Sequence, residues 1–341
     1  MFMVSVEDSS ATAQPELHRV SVSVVVPVYN NADTLAELVD RTVGVLAGLG
    51  SQGEIVLVND GSADESWLQI QALAARHPMV VGIALMRNYG QHNAYLAGIH
   101  RARHEVVVTM DADLQNPPEE IPKLLAALVG SGQDVVYGRP VHERQARWRV
   151  LAANFVKWTL RVAMGAESAG LVSPYRIFYT RLRNGFAGYR GSFVSLDALL
   201  SWSTSRFDAI PVSHDHRRSG RSSYRFGSLA RHALTMITGF STRPLRFASF
   251  VGLAATLFGA IVLLYVVGSY AAEGRAVQGF TFLASLISIL AGAQLLTIGV
   301  IGEYLALVHL RSMDRPTYVV REETPGVGQA KHSTRSSVAR Q

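Results

Sequence analysis

Two carboxylates two residues apart, Asp111 and Asp113, stand in the run DADLQNPPEE, with Gln115 two positions further on. Alternate oxygen donors of this kind suit a hard divalent cation that keeps several waters and completes its shell from substrate phosphates, which makes the ion Mg²⁺ or Mn²⁺. An Asp-x-Asp pair is common in surface turns. This one gains weight from the apolar run EVVVTM before it, which reads as a buried strand delivering both carboxylates to a sheet edge. Pro117 and Pro118 then suit a helix start, with Glu119 and Glu120 at the positive end of its dipole. Asp60, in NDGS, can accept from the imide N–H of a base such as uracil, or can simply build its turn. Arg87 can pair with a diphosphate and Tyr29 can stack on a base; each can equally be an ordinary surface side chain.

These clusters recur because the elements recur. SVSVVVPV reads as a strand buried on both faces, and Thr34 with Glu37 as a capping box opening a helix that runs to Leu49. EIVLV is a second strand, followed by a helix capped by Ser62 and Glu65 and ending at Arg76; VVGIAL is a third strand, EVVVTM a fourth and DVVYG a fifth. Strands alternating with helices imply a doubly wound α/β sheet, whose ligands lie beyond the carboxyl ends of the strands. PVYNN, NDGS, RNYGQHN and DADLQN stand at those four ends in order.

Charged residues make up 17% of the 341-residue chain, against about 25% in soluble domains. The deficit lies in two stretches. Phe247 to Ala272 carries no charge and Phe280 to Val308 carries only Glu303, and each exceeds the ~20 apolar residues that cross a bilayer. They are expected to form a transmembrane hairpin. Arg231, Arg243 and Arg246 precede it and His309, Arg311 and Arg315 follow it, which places both ends in the cytoplasm. Met1 to Arg19 lacks the apolar core of a signal peptide. Basic residues are scattered and gather mainly beside the apolar stretches, so the expected partner is a membrane and not nucleic acid. The absence of cysteine excludes disulfides and thiolate metal sites. The expected division is a disordered 1–19, a globular 20–226, amphipathic interface helices over 227–246, two spans within 247–310 and a basic tail over 311–341, polar and disordered from Arg321 on.

The strings VVVPVYNN, LVNDGS, MRNYGQHNA and MDADLQNPPEEIPKL resemble the family 2 glycosyltransferases of GT-A fold. More narrowly, the chain is similar to the polyprenyl-phosphate glycosyltransferases, such as dolichol-phosphate mannose synthases and bacterial undecaprenyl-phosphate formamido-arabinose and glucosyl transferases. The likeness runs from about Val20 to Pro316 and includes GEY at Gly302 to Tyr304. It implies inverting transfer of a sugar from a nucleotide diphosphate, with uridine favoured, to a polyprenyl phosphate at the cytoplasmic face of the inner membrane. It also implies a homo-oligomer, a tetramer in the family. By the same resemblance Pro27, Tyr29, Asn30, Asp60 and Arg87 hold the nucleotide, and Asp111 sits by the ribose and diphosphate. Asp111 and Asp113 with Gln115 hold the metal, Arg139 lies near phosphates, and Arg217, Gly220, Ser222 and Tyr224 cradle the lipid phosphate.

Three positions depart from the family pattern. Asn31 replaces the usual Glu after Tyr-Asn, Ser223 replaces a Lys, and Pro174 stands where relatives often carry an Asp before an aromatic-Arg pair, here Tyr175 and Arg176. The nearest carboxylates that can replace that last one as a base are Glu167 and Asp197. Two other readings compete. A processive polysaccharide synthase needs Gln-x-x-Arg-Trp, whereas Gln145, Ala146, Arg147 and Trp148 are one residue short; a non-catalytic membrane scaffold needs no intact acidic set. A fragment ending at Arg246 is expected to keep nucleotide binding.

Overall fold

The computed structural model describes residues 19–140, 171–191, 194–215, 243–273 and 279–324. Arg217, Gly220, Ser222 and Tyr224, Glu167, the interface segment over 227–242 and the sequence over 1–18 lie outside these residues. The chain divides into two compact units. One holds the sheet together with the segment from Pro316 onward, and the other holds the two long apolar helices.

The first unit is built on strands β1 (Val22–Val28), β2 (Gly53–Asn59), β3 (Val80–Leu85), β4 (Val106–Thr109), β5 (Val135–Pro140), β6 (Arg176–Tyr179), β7 (Phe207–Val212) and β8 (Val320–Glu323). They form one sheet in the order β7-β5-β6-β4-β1-β2-β3-β8. Helices α1 (Ala32–Leu49), α2 (Ser66–Arg76), α3 (Gln91–Arg101), α4 (Ile121–Ser131) and α5 (Leu196–Ser203) cover it. The four strands read from sequence as β1 to β4 are parallel neighbours, with β1 between β2 and β4. Alternation along β1 serves two cores. Val22, Val24, Val26 and Val28 join Leu35 and Leu38 of α1, Ile70 of α2 and Leu124 of α4, while Val25 joins Tyr95, Leu96 and Ile99 of α3 and Leu199 of α5. Valine suits both faces because its branched Cβ packs well on a pleated surface.

The sheet is mixed where the sequence implies a parallel one. DVVYG does form β5, but antiparallel β6 is inserted between it and β4. β6 is only four residues long and opens on a charged side chain, Arg176, so its apolar signal is brief. The capping boxes also differ. Thr34 turns its hydroxyl to the Ala112 carbonyl at 2.7 Å, and Ser62 accepts the Asn30 N–H at 3.0 Å, because neighbouring loops offer these side chains better partners than their own helix ends.

The largest correction concerns the tail. Arg321 to Glu323, read as part of a disordered tail, joins Val320 in β8, antiparallel to β3. Gly82 and Thr324 bond in both directions, the Gly82 N–H donating to Thr324 Oγ1 at 2.8 Å and the Thr324 N–H to the Gly82 carbonyl at 2.9 Å. A Cβ on Gly82 would lie 2.4 Å from Cγ2 of Ile70 and 3.0 Å from Cγ2 of Thr324, so only glycine permits this approach. The Met86 N–H donates to the Val319 carbonyl at 2.9 Å, Tyr318 pairs with His100 at 2.9 Å and Arg101 with Glu323 at 2.5 Å. The side chains of β8 are exposed, so its pairing is carried by backbone and leaves no hydropathy pattern.

Deleting residues 316–341 while keeping both apolar helices should therefore lower stability by several kcal/mol, at roughly 1 kcal/mol for each hydrogen bond lost. Limited proteolysis and thermal unfolding in detergent measure this, and an unchanged melting temperature would refute it. The fragment ending at Arg246 also lacks β8, so it should be destabilised too.

The second unit consists of α6 (Arg243–Glu273) and α7 (Phe280–Ser312). Leu245–Tyr265 and Ile289–Ser312 are long and apolar enough to cross a membrane, and only 6% and 0% of these windows is buried. Soluble core helices are mostly buried. Here Phe250, Leu257, Leu264, Leu295, Ile298 and Leu305 face outward.

Candidate active site

The carboxyl ends of β1 to β4 lie along one edge of the sheet, and their loops are tied to one another there. Tyr29 follows β1 and is half exposed; Pro27 is buried within the strand. Asn30 adopts φ 52, a left-handed conformation that asparagine tolerates, and its Oδ1 accepts the Ala63 N–H at 2.9 Å. That contact and the Asn30–Ser62 bond clip the loop after β1 to the loop after β2.

Asp60 ties the second loop to the third. Its two carboxylate oxygens accept the N–H groups of Tyr89 at 2.7 Å and Gly90 at 2.8 Å. Burial pushes this carboxyl up, and the two N–H donors only partly offset it. Of the two roles open in the sequence, turn building is the one these contacts display. Gly61 completes the junction. It sits at φ 66, and a Cβ there would fall 2.6 Å from the Arg87 carbonyl carbon, inside any van der Waals contact. Arg87 is exposed and lies over the Tyr89 ring at 4.5 Å.

Asp111 and Asp113 follow β4 on a turn whose middle residue, Leu114, is buried and held at φ 63. Leucine rarely adopts that region, at a cost of about 1–3 kcal/mol. The Gln115 N–H donates to Asp113 Oδ1 at 3.2 Å across the turn, and the buried Leu114 side chain anchors it. Asp111 Oδ1 accepts from Gln91 Nε2 and from the Tyr95 hydroxyl, both at 2.6 Å. Burial, then the Asp111 charge, push the Tyr95 hydroxyl well above the usual phenol range, so it stays a donor. Arg139, the penultimate residue of β5, lies toward the same edge, exposed, with β6 between its strand and β4.

Beneath this edge Arg176, 2% exposed, pairs with Asp197. Burial acts against the Arg176 charge, but Asp197 and the neighbouring tyrosines outweigh it and hold the guanidinium pKa above its ordinary value. The Tyr137 hydroxyl donates to Asp197 at 3.0 Å. The candidate base Asp197 is thus a buried counter-ion. Pro174 contributes its carbonyl, which accepts from the Thr109 hydroxyl at 3.0 Å and from Arg176 Nε at 3.4 Å.

Among the described residues no group of three or more His, Asp or Glu side chains converges on one point. An ion that takes one or two carboxylates and fills its shell with substrate phosphates and water needs no such trio. Asp111, Asp113 and Gln115 supply hard oxygen donors on one short turn, which fits Mg²⁺ or Mn²⁺. A residue the sequence reading missed stands beside them. The Asp215 N–H donates to the Gln115 carbonyl at 3.0 Å, and the preceding His214 has a buried Nδ1 with no hydrogen-bond partner among the described residues. Gln91 and Tyr95 were missed as well. Their spacing of four on the helix after RNYG was the available signal, since it puts both on one helix face.

The chain is similar to known proteins over most of its length. The glycosyl transferase family 2 pattern matches residues 23–188. The undecaprenyl-phosphate 4-deoxy-4-formamido-L-arabinose transferase of Edwardsiella ictaluri is 35% identical over 319 residues, 91% of this chain and 97% of that protein. Among solved structures, glucosyl-3-phosphoglycerate synthase from Mycobacterium tuberculosis, in complex with Mn²⁺, uridine-diphosphate-glucose and phosphoglyceric acid, superposes with a TM-score of 0.51 at 19% identity. That match covers 69% of this chain and 85% of the synthase, and it shows the GT-A fold. With its acidic turn at the end of the fourth strand and its likeness to a named transferase over nearly its whole length, the chain belongs to glycosyl transferase family 2.

Proposed function

We propose that this enzyme transfers a sugar from a nucleotide diphosphate, a uridine diphosphate by preference, to undecaprenyl phosphate or a similar polyprenyl phosphate. The observation that carries this reading is the acidic turn at the edge of β4, beside the clipped loops of β1 to β3, in a chain 35% identical to an undecaprenyl-phosphate sugar transferase. Tyr29, Asn30 and Arg87 face the nucleotide, with Pro27 and Asp60 supporting them from within the edge. Asp111, Asp113 and Gln115 hold Mg²⁺ or Mn²⁺, which when bound neutralises charge on the leaving diphosphate. The chain sits in the inner membrane through its two apolar helices, with both ends and the globular unit in the cytoplasm, and works as a homo-oligomer; the length and composition of Leu245–Tyr265 and Ile289–Ser312 support this reading.

The acceptor explains why Pro174 is tolerated. The second pKa of a phosphate monoester is about 6, so at neutral pH its oxygen is mostly deprotonated and no carboxylate need take a proton. The phosphate oxygen forms a bond to the anomeric carbon as the bond to the diphosphate breaks on the opposite face, giving inverted lipid-phosphate sugar and free nucleoside diphosphate. Asp197 supports this reading because its charge is committed to Arg176. Positioning is left to Arg139, Arg217, Ser222 and Tyr224.

The test is to incubate membranes containing the protein with undecaprenyl phosphate and a panel of labelled nucleotide-sugars. Label from one donor should become chloroform-soluble, only with divalent metal; the absence of such label with every donor overturns the proposal. Arg217→Ala should raise the apparent KM for lipid phosphate about tenfold or more with little change for the nucleotide-sugar, because a guanidinium–phosphate contact is worth roughly 1.5–3 kcal/mol. Equal effects on both substrates would move Arg217 to the donor diphosphate.

A further inference from the structure

We infer that Tyr95 is a positioning residue for the donor site, acting through Asp111, and that it is the outer member of a buried polar chain beginning at Asp197. This rests on the reading of the β4 edge as the nucleotide-sugar and metal site.

The Tyr95 hydroxyl and Gln91 Nε2 meet the same oxygen of Asp111, each at 2.6 Å, and lie 3.4 Å from one another. Two donors converging on one carboxylate oxygen from the same helix face stop rotation about the Cβ–Cγ bond. The direction of the second oxygen is thereby set as well. Gln91 is exposed and on its own is free to change rotamer, whereas Tyr95 is fully buried with its ring fixed in the core. Tyr95 is therefore the rigid half of the clamp.

The ring is held in turn from behind. The Arg176 guanidinium lies 5.5 Å from the Tyr95 ring centre and 6.0 Å from that of Tyr137. A cation against a phenol face is attracted to the ring and draws electron density from the O–H, which strengthens it as a donor. Asp197 anchors Arg176 and also takes the Tyr137 hydroxyl. Four side chains, Asp197, Tyr137, Arg176 and Tyr95, thus connect the inside of the sheet to one oxygen of Asp111 at its edge. Packing alone would be met by phenylalanine at position 95; the short bond to Asp111 is what requires tyrosine.

Tyr95→Phe removes that bond and keeps the ring, and Gln91→Met removes the other donor at an exposed position. Binding of UDP and of GDP to the purified full-length protein, measured by titration calorimetry with Mn²⁺ and again with excess EDTA, reads the effect without turnover. Wild type should bind one of them more tightly with Mn²⁺. Each variant should lose about tenfold of that Mn²⁺-dependent affinity, with metal-free binding and melting temperature close to wild type and the KM for lipid phosphate unchanged. Variants that bind like wild type overturn the inference alone. Equal losses with and without metal, or a lowered melting temperature accounting for the loss, make Tyr95 a packing residue and also overturn it. Wild type that binds neither nucleotide in a metal-dependent way overturns the donor-site reading and the inference with it.

Discussion

Asp113→Ala is expected to reduce sugar transfer by about a hundredfold or more while the protein stays folded. Asp113 is only partly buried, and the one bond of its turn described above, from the Gln115 N–H, is worth about 1 kcal/mol, a small part of the stability of a sheet this size. Its charge, by contrast, stands where the proposed function holds the leaving diphosphate and its cation. Asp113→Asn separates the two contributions. The amide oxygen still accepts from Gln115 and keeps Leu114 in its left-handed turn, but the negative charge is gone. Both variants should therefore lose activity, and Mn²⁺ titration of the residual rate should show half-activation shifted to higher Mn²⁺ in each. Activity near wild type in Asp113→Asn alone would show that turn geometry is the contribution, and more than a tenth of wild-type activity in both would falsify the metal assignment.

Asp197→Ala should destabilise the globular unit by about 3–5 kcal/mol, because it leaves the Arg176 guanidinium buried without its counter-ion. The Tyr137 hydroxyl loses its acceptor in the same step. The expected fall in melting temperature is roughly 6–20 °C. The double variant Arg176→Met with Asp197→Leu removes both charges and fills the space with apolar groups, so it should recover most of the lost stability. A normal melting temperature for Asp197→Ala, together with a large loss of kcat, would make Asp197 the missing base and would end the base-free mechanism.

That carboxylate illustrates what sequence can and cannot convey. SLDALL presents Asp197 as a helix-start residue, which is where it lies on α5, but nothing local reveals a guanidinium from β6 beneath it. The first four strands and their loops were legible because strands buried on both faces leave long valine runs and because parallel topology sends every loop to one edge. β6 and β8 were not, since each is four residues long and one of them is exposed throughout. Among the candidate site residues, the spacing of Asp111 and Asp113 after a valine strand put both at the end of β4, and NDGS put Asp60 at the end of β2, where the structure has them. Its attachment to Tyr89 and Gly90 was hidden, as was the Tyr95 bond to Asp111, because both depend on contacts between loops of different strands. The capping boxes failed for the same reason, their hydroxyls being taken by another loop.

The pairing of Gly82 with Thr324 spans 242 residues, and both apolar helices are encoded in between. A ribosome adding about 5–20 residues per second needs roughly 12–50 s to cover that interval. During that time β3 is synthesised and its inner neighbour β2 is present, but its outer edge, a row of unpaired backbone groups along Val80–Leu85, has no partner. Such an edge is a template for pairing with other chains. The nascent globular unit is thus exposed to aggregation until the last helix has left the ribosome, and closure of the sheet comes after membrane insertion. Slowing translation between Glu273 and Pro316 should lengthen that window and lower the yield of soluble, folded unit, whereas supplying a peptide of the Pro316–Thr324 sequence in a cell-free reaction should shield the edge early and raise it.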